Sequence, residues 1–213
     1  MDAVILAAGR NDRLKGRVPA YLKPLITVNG VSLIVDLVTK ALAVANCVVI
    51  VVAPQNAQHI VDVVHSALGS IKNIHYVIQP SADGPVDALD IAMNLVHDDR
   101  VMVLCADNII PLDVIVKCAS DKTEAVISTS EMTHDKAQRF TYFVRNEVYE
   151  KQPVPKDAPN LVQVWVGPLV VHRGFLNAQL SQVDTLSELI GLTIERSFVL
   201  GNVSDIGVPE ELP

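Results

Sequence analysis

Little in this chain suits an extracellular, membrane or nucleic-acid role. Three cysteines in 213 residues, Cys47, Cys105 and Cys118, are odd in number, widely spaced and set among apolar neighbours. That argues against both a disulfide framework and a zinc site, and all three are expected as reduced, buried core residues. Nine aromatic residues, and 17 Lys+Arg against 24 Asp+Glu, give neither stacking platforms nor a basic face, so no nucleic acid partner is expected. The longest apolar runs, such as Val48 to Ala53 and Val164 to Val171, are strand-length and far short of a bilayer span, so no membrane partner is expected either. Met1-Asp2 leads directly into an apolar segment with no basic n-region, and the expected compartment is cytoplasmic. The six histidines, His59, His65, His75, His97, His134 and His172, lack metal-ligand spacing, and His59 and His65 are expected on a helix surface.

Apolar sequence is abundant: half of the residues are hydrophobic and the mean hydropathy is +0.33. A chain of this length and composition buries one large core, and no linker, repeat or low-complexity segment divides it. Short β-branched runs predict strands at Asp2–Ala7, Val48–Ala53, His75–Gln79 and Val101–Ala106. Between them, apolar residues at helical spacing predict helices at Ser32–Ala45, Ala57–Leu68 and Val86–Val96. Ser32 or Asn56 is placed to cap and Gly69 to terminate, with a tight turn at Asn29-Gly30. Alternation of this kind predicts an α/β fold, a three-layer Rossmann-like arrangement with a mostly parallel mixed sheet and helices on both faces. Beyond Thr133 the texture changes. Phe140–Arg145 and Val148–Lys151 read as paired strands around Asn146, followed by a proline-broken loop from Pro153 to Pro159 and a long strand at Val162–Val171.

The acidic chain carries one local concentration of positive charge. Leu6-Ala7-Ala8-Gly9 ends the first apolar strand, and Arg10, Arg13, Lys15, Arg17 and Lys23-Pro24-Leu25 follow. Five cations in so short a stretch call for an anion, with a nucleoside triphosphate the leading candidate. Backbone N–H groups freed by a glycine turn meet phosphate oxygens, and Arg and Lys neutralise the charge that develops on pyrophosphate.

These residues resemble the signature of the sugar-phosphate nucleotidyltransferases, glucose-1-phosphate thymidylyl- and uridylyltransferases among them, in which Leu-Ala-Ala-Gly leads to Gly-x-Gly-Thr-Arg and then Pro-Lys-Pro-Leu. Asn11 and Asp12 depart from that pattern. Four further segments follow in the family's order. Gln79-Pro80 with Gly84 and Ala88-Leu89 resembles the base-binding segment, where a Gln amide that both donates and accepts suits a pyrimidine edge. Leu104-Cys105-Ala106-Asp107-Asn108 is similar to Gly-Asp-Asn, and Ser204-Asp205-Ile206-Gly207-Val208-Pro209-Glu210-Glu211-Leu212 to the terminal Asp-x-Gly-Thr-Pro-Glu-Asp-Leu. Glu150-Lys151 resembles the Glu-Lys-Pro that contacts the sugar phosphate, Gly167 matches the glycine beside the acceptor, and Thr141 replaces a glycine usual near the sugar.

The resemblance implies transfer of a nucleoside monophosphate from a nucleoside triphosphate, pyrimidine favoured, to a sugar 1-phosphate or similar phosphorylated small molecule, with release of pyrophosphate. It implies one domain, residues 1–213, in which 1–132 bind nucleotide and 133–213 form a small β-rich acceptor-binding part with a metal-binding terminal turn. Leu6, Ala7, Ala8, Gly9, Gln79, Pro80, Gly84 and Asp107 would bind nucleotide, Asp107 and Asp205 a Mg2+ ion, and Thr141, Glu150, Lys151 and Gly167 the acceptor. Arg13 and Lys23, both expected on a surface loop, would be catalytic. A monomer or small homo-oligomer is expected. Other readings are an inactive or weak nucleotide-binding module of the same fold, and a cytidylyltransferase acting on a non-sugar acceptor such as phosphocholine. A dinucleotide oxidoreductase would need Gly-x-Gly-x-x-Gly, where this chain has Gly9, Asn11 and Leu14, and no Walker A loop occurs.

Overall fold

The computed structural model describes residues 1–9, 20–81, 83–193 and 195–205, with residues 20–22, 204 and 205 described by backbone alone. In chain order the elements are β1 (Asp2–Ala7), β2 (Thr27–Val28), β3 (Val31–Ser32), α1 (Leu33–Leu42), β4 (Cys47–Val52), α2 (Ala57–Leu68), β5 (Ile74–Ile78), α3 (Pro85–Met93), β6 (Arg100–Cys105) and β7 (Asn108–Ile109). There follow α4 (Leu112–Ser120), β8 (Ala125–Thr133), α5 (His134–Ala137), β9 (Thr141–Val144), β10 (Glu147–Glu150), β11 (Leu161–His172), α6 (Arg173–Gln179), α7 (Leu186–Gly191), β12 (Arg196–Leu200) and β13 (Ser204–Asp205). No described helix is long and apolar enough to cross a membrane.

Side chains that alternate along each strand feed two helical layers. Ala3 and Ile5 of β1, Val48 and Ile50 of β4 and Met102 and Leu104 of β6 share a core with Ile34 and Val38 of α1, Ile60 and Val64 of α2 and Ile115 of α4. Val4, Val49, Val51, Val101 and Val103 face the other way, against Leu89 of α3, Leu176 of α6 and Leu189 and Ile190 of α7. The sheet is therefore apolar on both faces, as a sheet covered by helices on both sides requires. Ile50 is fully buried. Ile50→Ala is expected to lower the unfolding free energy by about 2–5 kcal/mol, read as a fall in urea midpoint at unchanged slope.

Four strands are parallel, in the order β5-β4-β1-β6. The chain builds outward from β1 through β4 to β5, then returns to place β6 on the far side of β1, so the topological switch lies between β1 and β6. Antiparallel β11 extends the sheet beyond β6, and it shifts register between Trp165 and Leu169. Past the shift, residues 169–172 pair with β6; before it, residues 163–164 pair instead with β9. The neighbours of β11 thus diverge at the irregularity and open a space between β6 and β9. β8 lines the other edge of β11, and β12 runs parallel to β8. The predicted hairpin closes through Arg145 (φ 51°) and Asn146 (φ 69°), a two-residue turn with both residues left-handed, which matches strand twist.

Several expectations need adjustment. Asn56 precedes α2 but does not cap it. Cys118 is buried, whereas Cys47 and Cys105 are only half-buried. His59 and His65 are exposed on α2, as expected.

Candidate active site

The carboxyl ends of β1 and β6 open onto a cavity of about 360 Å³, at the switch point where ligands collect in open α/β sheets. Leu6, Ala7, Ala8 and Gly9 line it from the β1 side, Gln79 and Gly84 from the β5–α3 connection. Pro80 is exposed and lies outside the lining. Lys23 and Asp107 complete the predicted set.

Lys23 is not on a surface loop. It belongs to a 3-10 helix, Ala20–Leu25, and its side chain is only 3% exposed. Its ammonium donates to Asp107 Oδ2 at 2.7 Å across 84 residues of sequence. A buried cation needs such a partner, and Asp107 is the strand-end acid that supplies it. Asp107 does not cap the next helix, because the residue preceding α4 is Pro111. Its carboxylate is 32% exposed and reaches the cavity, leaving it able to accept a second cation.

The Gln79 amide is held from within the chain. Its nitrogen donates to Gly84 O at 3.0 Å and Asp87 Oδ2 at 2.8 Å. Both partners are acceptors, so the orientation of the amide is fixed and both of its N–H groups are used. Its oxygen is the group left to meet a base. Gly84 adopts φ 108°, a backbone that side chains rarely tolerate, and its carbonyl closes this ring. Asn56, read from the sequence only as a candidate helix cap, instead supports the site. It is fully buried, accepts from Ala53 N and donates to Ala7 O, 49 residues away. That bond pins the end of β1 just before Gly9, and only the tertiary pairing of β1 with β4 reveals it.

A second cavity, of about 350 Å³, occupies the space where β6 and β9 diverge. It shares Pro85, Cys105 and Asp107 with the first. Thr141, Glu150, Lys151 and Gly167 all line it, so the four predicted acceptor residues converge. Arg139, Trp165, Thr185 and Ser187 join them without having been anticipated. Thr141 Oγ1 and Ser187 Oγ are 2.6 Å apart and buried. Burial pushes the Glu150 carboxyl up, but hydrogen bonds from Lys151, Ser187 and Thr185 together with the Lys151 charge outweigh it and hold the group below the usual carboxylate range. Glu150 is therefore an anion at neutral pH. Lys151 pairs with it at 3.1 Å and has a left-handed backbone, φ 47°, which turns the chain out of β10 beside the cavity. Gly167 also has a left-handed backbone, φ 91°, at the irregularity of β11.

β13 pairs with β7, and the register sets Asp205 opposite Asn108, the residue after Asp107. The backbone thus brings the two predicted metal ligands to neighbouring positions, although the Asp205 side chain is not described. Among the described side chains no group of three His, Cys, Asp or Glu could hold a metal. Arg13, with Arg10, Asn11, Asp12, Lys15 and Arg17, lies outside the described residues.

Comparison with known proteins gives the same frame. No curated protein sequence matches the chain. Among solved structures, HddC from Yersinia pseudotuberculosis aligns at 19% identity with a TM-score of 0.73, over 99% of this chain and 95% of its own. The inositol-1-phosphate CTP transferase from T. maritima aligns at 18% with a TM-score of 0.74, over 100% and 91%. A UTP-bound UGPase from Acinetobacter baumannii aligns at 18% with a TM-score of 0.75, over 99% and 90%. At such identities these likenesses establish the fold. The family follows from the sequence itself: the nucleotidyl transferase family model matches residues 2–155, most of the chain and all of the first cavity's lining, and this protein belongs to that family.

Proposed function

We propose that this nucleotidyl transferase joins a nucleoside monophosphate to a sugar 1-phosphate, with the nucleoside triphosphate in the first cavity and the acceptor in the second. The observation that carries this reading is the shared wall: Asp107, paired to Lys23, lines both cavities, where a phosphoryl group passing between them would lie. The solved relatives support it in kind, since their names include a UTP-bound protein and an inositol-phosphate CTP transferase.

The reaction is a one-step in-line displacement. An acceptor phosphate oxygen attacks the α-phosphorus, the bond to the β-phosphate oxygen breaks, and pyrophosphate leaves. An already ionised phosphate nucleophile needs no strong base, so alignment and charge neutralisation suffice. Lys23 neutralises charge between donor and acceptor phosphates, Arg13 the leaving pyrophosphate, and Lys151 the acceptor phosphate. Glu150, with the hydroxyls of Thr185 and Ser187 around it, suits the hydroxyl groups of a sugar. The site also fits a Mg2+ ion: one or two carboxylates with phosphate oxygens and water form its usual shell, and Asp107 and Asp205 would supply the carboxylates. Bound there, the ion would contribute charge neutralisation on the reacting phosphate.

Pyrophosphate release with a panel of nucleotides and sugar 1-phosphates tests the reading. Release that requires both substrates is expected; nucleotide binding without release from any pair would make the protein a binding module. Uridine or thymidine triphosphate is expected to bind more tightly than ATP, because the Gln79 oxygen can accept the ring N–H of uracil or thymine, whereas adenine has no ring N–H on that edge and could reach it only through its exocyclic amine. Losing that bond in Gln79→Ala costs about 1 kcal/mol, roughly fivefold in calorimetric Kd. Asp87→Ala, which removes one of the two acceptors that orient the amide, should narrow the gap between nucleotides. Equal affinities for all nucleotides, unaltered by either substitution, would show that this segment does not read the base.

A further inference from the structure

The polar chain through Asp107 continues past it. Asn108 is buried, with its Nδ2 3.4 Å from Asp107 Oδ1 and its Oδ1 accepting from Gly167 N at 3.2 Å. Lys23, Asp107, Asn108 and Gly167 thus form one line from the first cavity to the second. Gly167 lies where β11 breaks register, outside the paired positions on either side, and its buried N–H is donated to Asn108. Leaving such a donor unsatisfied is costly, and Asn108 satisfies it. The same residue pairs through its backbone with the strand that carries Asp205.

We propose that Asn108 is a positioning residue that couples the two cavities: its amide oxygen fixes the Gly167 irregularity facing the acceptor, while its amide nitrogen steadies the Asp107 carboxylate. The proposal rests on the reading that the cavities hold nucleotide and phosphorylated acceptor. An amide does both jobs from one side chain, because Gly167 offers a donor and Asp107 an acceptor. Asp at 108 would keep the oxygen for Gly167 and oppose Asp107. Leu would serve neither.

Asn108→Asp and Asn108→Leu separate the two arms. Kinetics use the nucleotide and sugar 1-phosphate that the pyrophosphate panel selects; calorimetry measures that sugar 1-phosphate with an α,β-methylene nucleotide bound. Asn108→Leu is expected to raise the acceptor KM and calorimetric Kd about tenfold and to lower kcat, while nucleotide Kd without acceptor stays within about twofold. Asn108→Asp is expected to keep the acceptor KM near wild type and to lose about tenfold in kcat. An unchanged acceptor Kd in a folded Leu variant overturns the proposal. So does an acceptor KM in Asn108→Asp that rises as far as in the Leu variant, and that arm decides the matter if the Leu variant does not fold. Turnover by the wild type with changes unlike these sinks the coupling alone, whereas wild-type protein that turns over no pair sinks the functional reading as well.

Discussion

Asp107→Ala and Asp205→Ala are each expected to abolish magnesium-dependent turnover while nucleotide binding only weakens. The two residues lie far apart in sequence, yet β7–β13 pairing sets the backbone of Asp205 opposite Asn108, next to Asp107. Removing either acid leaves the reacting phosphate short of neutralisation, the effect on which a metal-assisted transfer depends most. Removing both should cost little more than removing one, since residues that act as a unit are not additive. Pyrophosphate release against magnesium concentration, with nucleotide Kd by calorimetry, checks this. Full magnesium-dependent activity in Asp205→Ala would leave the β13 strand a purely structural element.

Lys23→Ala is expected to lower kcat about a hundredfold, corresponding to about 3 kcal/mol, through loss of a charge-assisted contact that strengthens in the transition state. This ammonium is paired to Asp107, and with three N–H donors it can keep that partner while it meets phosphate oxygens. Because Lys23 is buried, Lys23→Met, which keeps much of the stem, serves as the control for packing. Both variants should show the same loss in kcat, with the Met variant melting closer to wild type. Arg13→Ala is expected to lose a similar factor. Near wild-type pyrophosphate release by the Lys23 variants would remove this residue from the chemistry.

The central sheet was legible because its strands are short apolar runs and its helices amphipathic: α2 spans Ala57–Leu68, as its periodicity predicts. Beyond Asp107 the β9–β10 hairpin and β11 were legible to within one residue at each end, and β8, α4 and β12 were not. β8 buries Ser128 and Thr129 completely, so its middle reads as polar sequence. α4 leaves Leu112 and Val116 exposed, which blurs its apolar stripe. β12 is an edge strand whose partner lies about 70 residues earlier. The motifs pick out Gly9, Gln79, Asp107 and Gly167 in the cavity linings, but apart from the local ring around Gln79 the bonds that position them are long-range. Lys23 looked exposed because the residue that holds it is 84 positions away. Asn56 looked like a helix cap because its bond to Ala7 O exists only once β1 and β4 pair. Thr185 opens α7 as its N-cap in a Thr-x-x-Glu pattern that marks a helix start and not a site, and it reaches the second cavity with Ser187 only through the placement of α7.

The most direct test of the account follows one phosphorus atom. With magnesium and the sugar 1-phosphate selected by the panel, nucleotide labelled at the α-phosphate should transfer its label to the acceptor product, whereas label at the γ-phosphate should leave in pyrophosphate. Recovery of the α-label only as free nucleoside monophosphate, or of the γ-label as inorganic phosphate or on the acceptor, would contradict nucleotidyl transfer between the two cavities.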